Sequence, residues 1–239
     1  MNLTDKKIKK QFEPAIIRQK INWLFFDVGG VLINTSLYSK WRMKRIFLII
    51  KKYNPKIYKE NFIALLPEAG KAIGSLDKNI FHFFLEKNIV EKAQKDFNQE
   101  KEQELKYYWQ TSKPRPEAKH VLEKLSRNYK LGLIANQPII VRDKLKKAGL
   151  LKYFSSTRVS DDYKLYKPDT LLFQKILKDA QADPKQSVMI DDNIERGLIP
   201  AKKLGMTTVW LNTSNRKNIP KNAVDFEIKN LKELLKIFC

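Results

Sequence analysis

Hydrophobic positions change their spacing twice along this chain. Ile21-Asn22-Trp23-Leu24-Phe25-Phe26 is a short apolar run, rich in aromatics and closed abruptly by Asp27. It reads as a buried strand of a parallel sheet. Gly29-Gly30 follows as a loop with free backbone torsions. Over residues 36–113 the apolar residues fall at helical spacing, in segments 38–53, 76–88 and 89–109. Pro55, Pro67, Gly70 and Gly74 punctuate these segments. Beyond Pro114 and Pro116 strands and helices alternate. Helices are expected at 117–128, 138–149, 168–180, 194–204 and 231–238. Strands are expected at 129–135, 156–159, 186–190, 207–211 and 224–228. Repeated strand–helix units predict an α/β fold with a doubly wound parallel sheet. The core takes 21–35 and 114–239, a helical subdomain takes 36–113, and 1–20 forms a polar leader.

In such sheets ligands bind outside the carboxyl ends of the strands. The residues there are Asp27, Ala135-Asn136-Gln137, Ser160-Asp161-Asp162 and Asp191-Asp192-Asn193. Carboxylates gathered at one crevice repel unless a cation lies between them. Mg²⁺, which takes one or two carboxylates plus water and phosphate oxygens, suits the position. Asp161 and Asp162 read as turn and cap residues. His82, among Phe81, Phe83 and Phe84, reads as core packing, and His120 as solvent-facing. Trp41, Tyr53, Tyr107, Tyr108 and Trp109 read as helix packing rather than pocket lining. No phosphate-binding Gly-Lys-Ser/Thr loop, zinc spacing or Ser-His-Asp set occurs.

Composition narrows the class. The 239 residues are 43% hydrophobic, enough for a core, and Cys239 is the single cysteine. With no intrachain disulfide, no signal-like apolar run and no bilayer-length segment, a cytoplasmic protein without a membrane partner is expected. The formal charge of +21 is attractive to polyanions. Yet the lysines are spread along the chain with acids between them, so nucleic acid is not the expected partner.

Four motifs in order carry a resemblance. Phe25-Phe26-Asp27-Val28-Gly29-Gly30-Val31-Leu32, Leu131-Gly132-Leu133-Ile134-Ala135-Asn136, Lys167-Pro168-Asp169 and Val188-Met189-Ile190-Asp191-Asp192 resemble the four motifs of the haloacid dehalogenase (HAD) superfamily. The helical segment between the first and second resembles that family's C1-type cap. The resemblance implies a HAD-like Rossmannoid core and a phosphatase acting on a small phosphorylated metabolite. It makes Asp27 the nucleophile that forms an aspartyl-phosphate. It gives Lys167 charge neutralisation, and Asn136 and Gly30 contact with substrate phosphate. Asp27, the Gly29 carbonyl and Asp192 would hold Mg²⁺, with Asp191 in the first or second coordination sphere.

Three positions depart from the family pattern. The second aspartate, a general acid and base worth about 10²- to 10⁴-fold, is Gly29 here. The second motif's hydroxyl is Ala135, and the later acid of the fourth motif aligns with Gly197. These departures leave two other readings open: an inactive HAD-like binding protein and a metal-independent dehalogenase. The Asp191-Asp192 pair argues for a metal and against the latter.

Overall fold

The computed structural model describes residues 21–214, 216, 217, 220 and 222–239; the expected leader at 1–20 lies outside the described residues. Strand β1, Trp23–Phe26, runs in parallel between two later strands. A short β2, Ile33–Asn34, leaves the sheet and pairs antiparallel with β3, Lys113–Pro114. Five helices lie between them: α1 Ser36–Tyr53, α2 Lys59–Ala69, α3 Leu76–Phe84, α4 Lys87–Gln99 and α5 Lys101–Thr111. Then come α6 Ala118–Leu125, β4 Lys130–Leu133, α7 Val141–Lys147, α8 Ser160–Tyr163, α9 Thr170–Asp179 and β5 Ser187–Asp191. A π-helical turn, Ile194–Leu198, leads into α10 Ile199–Lys203, and the chain closes with β6 Thr207–Leu211, β7 Phe226–Ile228 and α11 Leu234–Phe238. Among the described residues the main sheet has order β4-β1-β5-β6-β7, all parallel.

Alternation along β1 builds both faces of the core. Leu24 and Phe26 pack with Val121, Leu122 and Leu125 of α6 and with Leu234 of α11. Trp23 and Phe25 point the other way, onto Leu172, Phe173 and Ile176 of α9 and Ala201 of α10. The inserted helices pack on a separate cluster that includes Ile46, Ile50, Phe62, Ile80, Phe81 and Phe97. Each large apolar side chain fully buried this way contributes about 1.5–3 kcal/mol relative to exposure. No helix among the described residues is long and apolar enough to cross a membrane.

Several expectations need correction. Residues 156–159 form a single bridge, Gly132 to Ser156, rather than a strand. Asp162 accepts the Val159 N–H at 2.8 Å and turns the chain into α8 before a ladder can extend. Helix α2 was hidden by Pro67, which lies inside it. The proline falls near the helix end, and the carbonyl it leaves without a partner belongs to exposed Ile63. His82 is exposed on α3 and Phe83 is 47% exposed, so that histidine is not in the core. The β2–β3 pair, two residues on each side, is too short to leave any periodicity.

Candidate active site

Register sets the first two acids. Phe26 pairs with Ile190, and the Asp27 N–H donates to the Ile190 carbonyl at 2.9 Å. The next residues, Asp27 and Asp191, therefore stand side by side at the carboxyl edge of the sheet. Lys167, from the loop between α8 and α9, reaches both: its Nζ donates to Asp27 Oδ1 at 2.6 Å and to Asp191 Oδ2 at 2.7 Å. All three are buried, at 8%, 1% and 4% exposure for Asp27, Asp191 and Lys167. Asp192 is exposed at the mouth, crowded by protein on its inner side.

Three carboxylates face one ammonium. Burial raises the Asp27 carboxyl most and Lys167 pulls against it; with the charge of Asp191 adding to the rise, it stands at about 6. Loss of hydration and the charges of Asp191 and Asp27 hold Asp192 well above the usual carboxylate range. Burial works against the Lys167 charge, but the two aspartates outweigh it and keep the ammonium above its ordinary range. One oxygen from each of Asp27, Asp191 and Asp192 lies within 4.8 Å of the others. Such an excess of oxygen anions suits a small hard cation such as Mg²⁺. Asp191 is the least free of the three: Oδ2 takes Lys167, and Oδ1 accepts the Asn193 N–H at 2.8 Å.

Two glycines seat these acids. A Cβ on Gly30, which has φ +84°, would lie 2.0 Å from Asp192 Oδ2. A Cβ on Gly197 would lie 2.0 Å from Asp191 Oδ2. The missing acid at 197 is therefore part of the packing: a side chain there would displace Asp191.

The groups expected to contact phosphate are engaged elsewhere. The Gly30 N–H donates to the Ile33 carbonyl at 2.8 Å, closing the turn into β2. Asn136 brackets the Lys167 peptide, its Nδ2 donating to the carbonyl at 3.0 Å and its Oδ1 accepting the N–H at 2.7 Å. In this arrangement Asn136 positions Lys167. Ala135 is fully buried and offers no side-chain donor.

Sequence reasoning missed Arg196. This residue, 7% exposed, donates to the carbonyls of Gly70 at 2.8 Å, Ala72 at 3.3 Å and Gly74 at 2.8 Å, and also to the carbonyl of Lys167. One guanidinium thus joins the loop after α2 to the Lys167 peptide. Thr35 was not foreseen either; it borders Gly29 together with Gln137, one of the expected strand-end residues. A Cβ at Gly29 would meet Gln137 Nε2 at 3.2 Å and Thr35 Cγ2 at 3.7 Å. Arg115 fastens the same loop, donating to the Gly30 carbonyl at 2.7 Å from Nη2 and 3.2 Å from Nε. The sequence signals neither arginine's partnerships, since each spans tens of residues.

A glyceraldehyde 3-phosphate phosphatase of Methanothermobacter thermautotrophicus is 26% identical over 231 residues, covering 89% of this chain and 98% of its own. A phosphoserine phosphatase of Thermus thermophilus is 31% identical over 121 residues, 50% of this chain and 49% of the relative. The crystal structure of a HAD phosphatase from Thermococcus onnurineus matches with a TM-score of 0.64 at 25% identity, covering 91% of this chain and 97% of the other. Residues 24–211 match the haloacid dehalogenase-like hydrolases, and the chain belongs to that family of enzymes.

Proposed function

We propose that the protein is a Mg²⁺-dependent phosphatase of small phosphate monoesters, working through an aspartyl-phosphate on Asp27. The observation that carries this reading is the Lys167 ammonium bound at once to Asp27 and Asp191, with Asp192 in reach of the same cation position. The phosphatases among the relatives support the substrate class. Asp27, the Gly29 carbonyl and Asp192 would hold the cation, and Asp191 would support them through Lys167. When bound, Mg²⁺ supplies positive charge to the phosphoryl oxygens and relieves the repulsion among the carboxylates.

Asp27 attacks phosphorus and the bond to the ester oxygen breaks. Lys167 balances the charge of Asp27 and the transferred oxygens, the main demand of phosphoryl transfer. Water then attacks the aspartyl-phosphate, releasing phosphate and regenerating the carboxylate. Asn136 and Arg196 hold the Lys167 peptide in place throughout. With Gly29 in the general-acid position, the leaving oxygen departs without a proton from that residue.

The test is phosphate release from acetyl phosphate, p-nitrophenyl phosphate and an alkyl phosphate, with Mg²⁺ and with EDTA. The acyl and aryl esters should turn over and the alkyl ester lag; no Mg²⁺-dependent release from any of them would refute the reading. Gly29→Asp should raise the alkyl rate by up to about 10²-fold. The Cβ of the new side chain needs only the Gln137 amide to give by a few tenths of an ångström.

Mg²⁺ should also stabilise the fold. At a hundredfold excess over Kd the gain is about 2.7 kcal/mol, a Tm rise of roughly 5–10 °C for a chain of this size. The pH dependence has a definite sign. A carboxyl raised from 3.8 to about 6 on folding favours the metal-free fold at low pH, and that contribution fades as pH rises through 6. Mg²⁺ replaces it only once the carboxyls ionise. The shift in Tm on adding Mg²⁺ should therefore be larger at pH 8 than at pH 5, and calorimetry showing the reverse would contradict the site.

A further inference from the structure

Helix α5 ends beside the active site. It runs directly into β3, whose partner β2 lies six residues beyond Asp27 and is tied to the Gly30 turn by Arg115. On its last turns stands Tyr108, only 8% exposed. The Tyr38 ring packs edge-on against it at 5.1 Å between centroids, and Lys144 Nζ lies 4.5 Å from its ring centroid. The ring is held, yet its hydroxyl has no hydrogen-bond partner among the described residues. A buried polar group without a partner is rare in a folded protein and calls for a water, an ion or a ligand. Tyr38, whose ring packs on it, stands three residues after Thr35, which borders Gly29 in the loop after Asp27. Burial first, and then the charge of Asp27, raise the Tyr108 hydroxyl to about 12, so it stays protonated and remains a donor.

Ala135 offers nothing on the sheet side of the crevice, where a side-chain hydroxyl would serve a phosphoryl group. We propose that the Tyr108 hydroxyl, supplied by the helical insert, donates a hydrogen bond to an oxygen of the phosphoryl group at Asp27, taking over the task left open at Ala135. The inference rests on the phosphatase reading and names a substrate contact within it. The orphaned donor then has its partner only when substrate is bound. Its contact is with the transferred group, so it acts alike on every substrate, whatever the leaving group.

Tyr108→Phe keeps the ring and removes the hydroxyl. Three quantities are compared with wild type in Mg²⁺: orthovanadate affinity by isothermal titration, kcat/KM on acetyl phosphate and p-nitrophenyl phosphate, and Tm of the ligand-free protein. Affinity and both kcat/KM values should fall about 10- to 100-fold, the two substrates in equal proportion. Tm should stay level or rise, because a buried hydroxyl without a partner has been removed. Unchanged affinity and turnover would overturn the proposal. A Tm that drops together with activity would overturn it too, by showing a structural hydroxyl. A wild type that neither binds orthovanadate nor hydrolyses either ester would instead remove the phosphatase reading, and the contact with it.

Discussion

Asp27→Asn should abolish turnover while leaving the fold intact. Removing a covalent nucleophile costs on the order of 10⁴- to 10⁶-fold in kcat. The amide has nearly the shape of the carboxylate it replaces, and Lys167 keeps its bond to Asp191 at 2.7 Å. One of three crowded carboxylates is gone, so the metal-free Tm should hold or rise. Phosphate release and thermal melts on one preparation separate the two effects. If the mutant kept more than about one hundredth of the wild-type rate, far above the expected loss, Asp27 would not be the nucleophile.

Lys167→Met should damage both activity and stability. Among the described residues the ammonium is the one cation bonded to both Asp27 and Asp191, which are 8% and 1% exposed. Breaking a buried ion pair by removing one partner costs about 3–5 kcal/mol. For a chain of this length that is a fall in Tm of roughly 6–20 °C. Turnover should fall by about 10²- to 10³-fold, the scale of losing one preorganised electrostatic contact. Mg²⁺ should recover part of the stability and little of the rate, because it restores charge balance but not the contact to the transferred oxygens. A mutant melting with wild type at pH 8 without Mg²⁺ would mean that the carboxylates are compensated by some other group.

Some of the site was readable from the chain alone. Asp27, Asp191 and Asp192 follow apolar strands, and the rule that ligands gather at carboxyl ends turns that position into proximity. Lys167 was legible only through its place among the ordered motifs, since one lysine in a lysine-rich chain carries no signal. What stayed hidden acts across the fold. Arg196 bonds carbonyls more than a hundred residues earlier in the chain, and backbone oxygens leave no mark on a sequence. Tyr108 packs as expected, but that its hydroxyl is left without a partner among the described residues depends on atoms from other helices. Asn136 and Gly30 were placed at the right end of the sheet, but their polar groups had already been engaged by neighbouring backbone. Local misreadings had local causes: Pro67 hid α2, and neighbouring phenylalanines drew exposed His82 toward a core that Phe81 and Phe84 enter and the histidine does not.

The two glycines at the positions of the missing acids differ in how they constrain later change. Gly29 borders a flexible amide end, so an acid can return there by one substitution with little disturbance. Gly197 presses against Asp191, and Asp191 holds Lys167. An acid regained at 197 would push on the residue that fixes the lysine, so it would be harmful unless the contacts around Asp191 had already been rebuilt. One loss is reversible and the other is locked by its neighbours. Descendants of this chain that recover proton transfer would be expected to do so at position 29, with glycine at 197 carried along unchanged.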